Sequence, residues 1–230
     1  MTTSKTNIHG IPAIIWGKKA DKVYIHVHGK MSCKEFAGEF ARIAEEKGYQ
    51  TISFDLPEHG ERKQEDRRCD IWNGIHDLNA VGEYAFSNWE EVSLFACSLG
   101  AYFSLNAYPG RNLKKCLFQS PILNMEYLIR QMMNWFQISE EQLFCKKEIE
   151  TPIDRLSWEY YQYVKAHPVT AWPFPTSILY AGKDNLQSLE VVRNFSDTFG
   201  CDLTIAQNSG HAFMAEGDGD LVIQWLSDQV

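Results

Sequence analysis

The sequence predicts an α/β fold: a mostly parallel, doubly wound sheet carrying one helical insertion. Two observations predict it. Short β-rich runs alternate with stretches of helical periodicity along most of the chain, and strands joined through helices make a parallel sheet. One central segment, residues 121–172, breaks that rhythm; it lacks a clear strand and is rich in Trp, Tyr, Phe and Met.

Taken in order, Lys22 to His28 is a β-rich run. Ser32 with Glu35 three residues later has the capping-box spacing and opens a helix. Phe36, Phe40, Ile43 and Ala44 recur at helical spacing until Gly48 offers a left-handed stop. Gln50 to Phe54 is a strand, Ile71 to Trp89 mostly helix, Glu91 to Ala96 a strand, Leu99 to Ala107 a helix and Lys114 to Gln119 a strand. Beyond the insertion come a strand at Thr176 to Ala181 and a helix at Leu189 to Phe199, stopped by Gly200. A strand at Asp202 to Ala206 and a C-terminal helix finish the chain. Residues 1–120 and 173–230 therefore read as one core and 121–172 as a helical insertion. Most of the insertion's apolar residues, Met132, Met133, Phe136, Tyr160 and Tyr161 among them, have the spacing of packing residues. Trp135 and Trp158, with Met31, are the candidates for substrate contact.

At 230 residues, with 44% hydrophobic and 13% aromatic content, the chain suits a single domain with a substantial core. The polar opening has no apolar run of signal-peptide or membrane-span length, so a cytoplasmic location is expected. The six cysteines include no Cys-x-x-Cys pair and read as reduced, mostly buried thiols. A net charge of −8 without a basic patch argues against nucleic acid and anionic membranes as partners. The mixed-sign cluster Glu61 to Asp70 reads as a solvated loop. Oligomeric state is not legible.

The chemistry concentrates where strands end. Val92 to Ala101 is a buried-type strand running straight into a helix, with Ser98 at the corner and the small residues Ala96 and Gly100 two positions to either side. This is the nucleophile-elbow pattern, in which close strand–helix approach demands small neighbours. A serine hydroxyl is protonated at neutral pH and needs a base during attack. His211, in the loop after the last strand, is that base. Asp184, just past an earlier strand end, is the acid that orients it. Ligands gather at this edge of a parallel sheet. Glu126 and Asp202 are competing acids. The backbone N–H groups of Leu99 and Lys30, with Met31 the alternative to Lys30, are the candidate donors to an oxyanion. Cys97, beside the corner, should face the core and be inert.

His28-Gly29, Asp55-Leu56-Pro57-Glu58-His59-Gly60, Ala96-Cys97-Ser98-Leu99-Gly100, the run from Pro175 to Asp184, and Gly210-His211-Ala212-Phe213 together resemble the α/β-hydrolase superfamily. The resemblance implies a cofactor-free hydrolase with a cap before the acid-bearing strand, as in esterases, monoglyceride-lipase-like enzymes and serine aminopeptidases. It also makes the Asp55 to Gly60 segment a structural turn. The chain departs from the pattern in having Ala96 for the first elbow glycine and in an N-terminus with room for few leading strands. The expected function is cleavage of an ester or thioester of a small to medium acyl substrate. Amide or peptide hydrolysis and a ligand-binding receptor are the alternatives. A metal site at His26-Val27-His28 is not expected, because Gly29-Lys30-Met31 follows where an acid and a histidine would be needed.

Overall fold

A computed structural model describes all 230 residues, Met1 to Val230. The chain opens with β1 (Thr3–Ile8) and β2 (Ile11–Trp16), a hairpin absent from the expectation above, then β3 (Lys22–Val27), α1 (Gly38–Glu46), β4 (Gln50–Phe54) and α2 (Ile71–Asn88). It continues through β5 (Glu91–Cys97), α3 (Leu99–Ala107) and β6 (Cys116–Gln119). Then come α4 (Met125–Trp135), α5 (Glu140–Lys146), β7 (Glu148–Glu150), β8 (Arg155–Ser157) and α6 (Trp158–Ala166). The last elements are β9 (Thr176–Ala181), α7 (Leu189–Phe199), β10 (Asp202–Ala206) and α8 (Asp218–Gln229).

Eight strands form one sheet in the order β1-β2-β4-β3-β5-β6-β9-β10. Only β1 with β2 and β2 with β4 pair antiparallel; every other pair is parallel. The parallel strands have apolar residues on both faces because helices cover both. One layer packs Phe40, Ile43, Trp225 and Leu226 of α1 and α8 against Tyr24, Phe95, Leu117 and Leu179. The other packs α2, α3 and α7, through Leu78, Val81, Phe103, Val192 and Phe195, against Ile25, Ile52, Leu94, Phe118 and Ile178.

The segment between β6 and β9 contains α4, α5 and α6, together with the short antiparallel ribbon β7–β8 that its sequence did not reveal. Local rules give way in three further places. The helix expected to open at Ser32 starts instead as a 3₁₀ turn, Lys34–Ala37, with Cys33 at its N-cap and no side-chain cap. The Lys34 N–H is bonded to the Asp55 carboxylate, 2.9 Å away. Within the expected solvated loop, Arg62 is buried and paired with buried Asp77 at 2.5 Å. Of the six cysteines, all unpaired, only Cys116 is fully buried, and Cys145 is exposed. No helix is long and apolar enough to cross a membrane.

Candidate active site

At the end of β5 the backbone turns sharply into α3, and Ser98 occupies the corner with φ 49° and ψ −118°. A non-glycine residue keeps such a conformation only where its surroundings over-determine it. Here the Ser98 N–H donates to Gln119 O at 3.1 Å, and its carbonyl accepts from the N–H groups of Ala101 and Ile122, each at 3.1 Å. Gly100 has no substitute: a Cβ there would lie 2.6 Å from His28 O and 2.8 Å from Val27 O. Buried Ala96 pairs in register with Val27 and Phe118, so the sheet accommodates its methyl group.

Ser98 Oγ lies 2.8 Å from His211 Nε2, and His211 Nδ1 lies 2.7 Å from Asp184 Oδ2. The carboxylate can only accept, so Nδ1 carries the imidazole proton and Nε2 accepts from the serine hydroxyl. The Asp184 side chain is fully buried. Its other oxygen accepts from the N–H groups of Leu186 at 2.7 Å and Gln187 at 3.3 Å, which balances the cost of holding the charge away from water.

Three residues that sequence reasoning missed hold these loops. Ser120, directly after β6 and at φ 42°, donates its hydroxyl to His211 O at 2.7 Å. Its place at a strand end on the functional edge was the available signal. Asp218 accepts from Ser209 Oγ at 2.5 Å and from Ala215 N–H at 2.9 Å, bracing the turn on both sides of His211. Buried Gln187 accepts from the N–H groups of Leu123 and Asn124 at 3.1 and 2.8 Å and donates to Asn124 O at 3.1 Å. It ties the Asp184 loop to the start of the insertion, and no local pattern announces it.

The loop after β3 faces Ser98 so closely that a Cβ on Gly29 would sit 3.0 Å from Ser98 Cβ. On that loop the Lys30 N–H has no partner in the protein, whereas the Met31 N–H is taken by His59 Nε2 at 3.0 Å. Across from it, Leu99 begins α3, where a first-turn N–H has no intrahelical acceptor. The competing acids lie elsewhere. Glu126 pairs with Arg130 at 2.9 Å, Asp202 is exposed at the start of β10, and buried Asp55 is paired with Lys34 at 2.6 Å. Burial, with the Asp184 charge adding to it, pushes the Cys97 thiol up to about 12.

A cavity of about 580 Å³ opens at this loop, lined by Lys30, Leu99, Phe36, His59 and Cys69, with Met31 also in its wall. A second hollow of about 490 Å³ under the β7–β8 ribbon shares Glu58, Cys69 and Asp154 with it. The Lys30 ammonium pairs with Asp154, so the turn of the ribbon lies against the loop after β3. Met31 is 92% exposed. Trp158 packs edge-on against Phe144 at 5.2 Å, and Trp135 sits half-exposed at the end of α4; neither lines these two cavities. A third hollow of about 260 Å³ lies beside α4 and α7; Ser98, Asp184 and His211 line none of the three, and only the 580 Å³ cavity is lined by Lys30 and Leu99.

No family model matches the chain. No curated protein matches it in sequence. Solved structures do match along nearly its whole length. Est1E from Butyrivibrio proteoclasticus with ferulic acid bound superposes with a TM-score of 0.79 at 18% identity, covering 98% of this chain and 96% of that one. Alpha/beta hydrolase domain-containing protein 10 from mouse superposes with a TM-score of 0.76 at 16% identity, covering 99% and 98%. The chain has the α/β-hydrolase fold. A monoacylglycerol lipase from Paleococcus ferrophilus shares this α/β-hydrolase fold with a TM-score of 0.66 at 17% identity, covering 96% of this chain and 99% of that one. On this α/β-hydrolase sheet the loops after β3, β5, β9 and β10 meet at one edge. They bring together a hydroxyl, an imidazole, a carboxylate and an unpartnered backbone N–H.

Proposed function

We propose that this chain is a serine hydrolase that cleaves a carboxylic ester or thioester of small to medium acyl size. The observation that carries this reading is the hydrogen-bonded series from Ser98 Oγ through His211 to the buried Asp184 carboxylate, beside the unpartnered Lys30 N–H. Ser98 Oγ attacks the acyl carbonyl while His211 Nε2 takes its proton, and Asp184 stabilises the resulting imidazolium. The N–H groups of Lys30 and Leu99 receive the oxyanion. The intermediate collapses, His211 returns the proton to the departing alcohol or thiol, and an acyl-enzyme remains. Water deprotonated by His211 then attacks that acyl group, and its breakdown releases the acid and restores Ser98.

These steps use side chains, backbone donors and water alone. Residues 121–172 act as the cap over the site, and the cavity lined by Lys30 and Leu99 accepts the substrate. The monoacylglycerol lipase among the structural neighbours supports ester chemistry over peptide hydrolysis.

Treatment with a fluorophosphonate followed by intact-protein mass spectrometry tests the reading. Wild type gains one phosphonyl group and Ser98→Ala, equally folded, gains none. Esters of graded acyl length then define the preferred substrate. Folded wild type that resists the reagent would overturn the hydrolase reading in favour of a ligand-binding receptor.

A further inference from the structure

The loop that offers the Lys30 N–H has no regular structure of its own. Its next residue, Met31, holds φ 64° with its side chain almost wholly exposed. Nothing in the Met31 side chain fixes that backbone, so the restraint must come from main-chain partners.

Two imidazoles supply it. His28 Nδ1 lies 2.7 Å from Gly29 O, and its Nε2 lies 3.1 Å from the Leu56 N–H. His59 Nδ1 lies 2.7 Å from Pro57 O, and its Nε2 lies 3.0 Å from the Met31 N–H. A carbonyl can only accept and an N–H can only donate, so each ring is neutral, with its proton on Nδ1. The rings are 5.2 Å apart and both are buried. Each joins its own loop to the other: His28 reaches from the loop after β3 to the turn after β4, and His59 reaches back. The turn that carries His59 is itself firm. His59 N–H donates to Leu56 O, and His59 O accepts from Arg62 N–H at 2.8 Å, with the Arg62 guanidinium locked onto Asp77. His59 therefore works from a firmly held turn on an adjacent segment that has no regular structure.

We propose that His59 is a positioning residue: by accepting the Met31 N–H it withholds that donor from the reaction and aims the neighbouring Lys30 N–H at the oxyanion formed on Ser98. The inference rests on the serine-hydrolase reading for its catalytic half and on geometry alone for its structural half. Glutamine carries a side-chain oxygen at about the reach of Nε2, whereas asparagine carries its amide at the reach of Nδ1. His59→Gln should keep the Met31 bond, and His59→Asn and His59→Ala should lose it.

Amide hydrogen exchange at Met31 in the four proteins reads the clasp without needing turnover. We expect protection in wild type and His59→Gln and exchange faster by about tenfold or more in the other two. On p-nitrophenyl acetate, kcat should fall about 10- to 100-fold in His59→Asn and His59→Ala with KM nearly unchanged, and should recover in His59→Gln. If His59→Ala fails to fold, the Asn and Gln variants carry the comparison. Unchanged exchange at Met31 in His59→Asn would overturn the clasp. Faster exchange with unchanged or increased kcat would overturn the positioning role. Wild type inert to fluorophosphonate would overturn the hydrolase reading and the catalytic half with it, while the exchange result would still decide the clasp.

Discussion

At the scale of single residues, the site depends on which nitrogen of His211 holds the proton. Asp184 fixes this with one oxygen on His211 Nδ1 and the other anchored by Leu186 and Gln187. Asp184→Asn keeps an oxygen for the backbone N–H groups but presents an amide NH₂ to the imidazole. That stabilises the opposite tautomer, whose Nε2–H cannot accept from Ser98. We expect a fall of about 10⁴ in kcat with the fold intact, measured on the ester that wild type prefers. Glu126→Gln is the control. Its carboxylate serves Arg130 on the same helix, so activity within about twofold of wild type is expected for an exposed pair. A large loss in that variant, with Asp184→Asn still active, would reverse the assignment of the acid.

At the scale of elements, the corner between β5 and α3 is where a small change does most damage. A methyl group on Gly100 would meet the carbonyl oxygens of His28 and Val27, backbone atoms that a side-chain rotation cannot move. Gly100→Ala should therefore lose roughly 1–3 kcal/mol in urea denaturation, and fluorophosphonate labelling should slow as the Ser98 corner and the loop after β3 are forced apart. Wild-type stability would mean the two elements pack less closely than described. That corner was legible because its demand is local: a buried strand, a small residue, a serine and a glycine within seven positions of Phe95 to Ala101. Elements fixed by distant partners were not legible. β1, TSKTNI, is mostly exposed and shows no apolar alternation, though the two-residue turn at His9-Gly10, with φ 51° and 93°, was a hairpin signal. β7 and β8 are three residues each, too short to show a period. The Ser32 cap did not form: the 3₁₀ turn opens at Lys34, whose N–H goes to Asp55 twenty-one residues on, and Arg62 is buried against Asp77 and the Asp55 carbonyl, partners that lie outside its own turn. The Ser98, Asp184 and His211 positions could be read as strand ends in order; Ser120 and His59 also follow strands, but their roles, like that of Gln187, could not be read, since their partners are backbone groups of other loops.

At the scale of the whole molecule, β3 and the loop that follows it bury two imidazoles that cannot readily charge, and this sets how the fold responds to acid. Burial lowers His26 from 6.5 to about 3 and His28 to about 4. His26 stacks on Phe95 at 4.7 Å and leaves Nδ1 without a partner, while both nitrogens of His28 are engaged by backbone groups. Between pH 6.5 and about 4 the unfolded chain takes up a proton on each ring and the native chain does not. The unfolded state binds more protons there, so stability rises with pH through that window and is lost as pH falls. Each ring contributes a slope approaching ~1.4 kcal/mol per pH unit. His26→Phe preserves the stack with Phe95 and removes one of the two protons. Urea midpoints measured from pH 7 down to pH 4.5 should then fall about half as steeply from this source, with stability at pH 7 equal to or above that of wild type. An undiminished slope would place the acid sensitivity in groups other than His26.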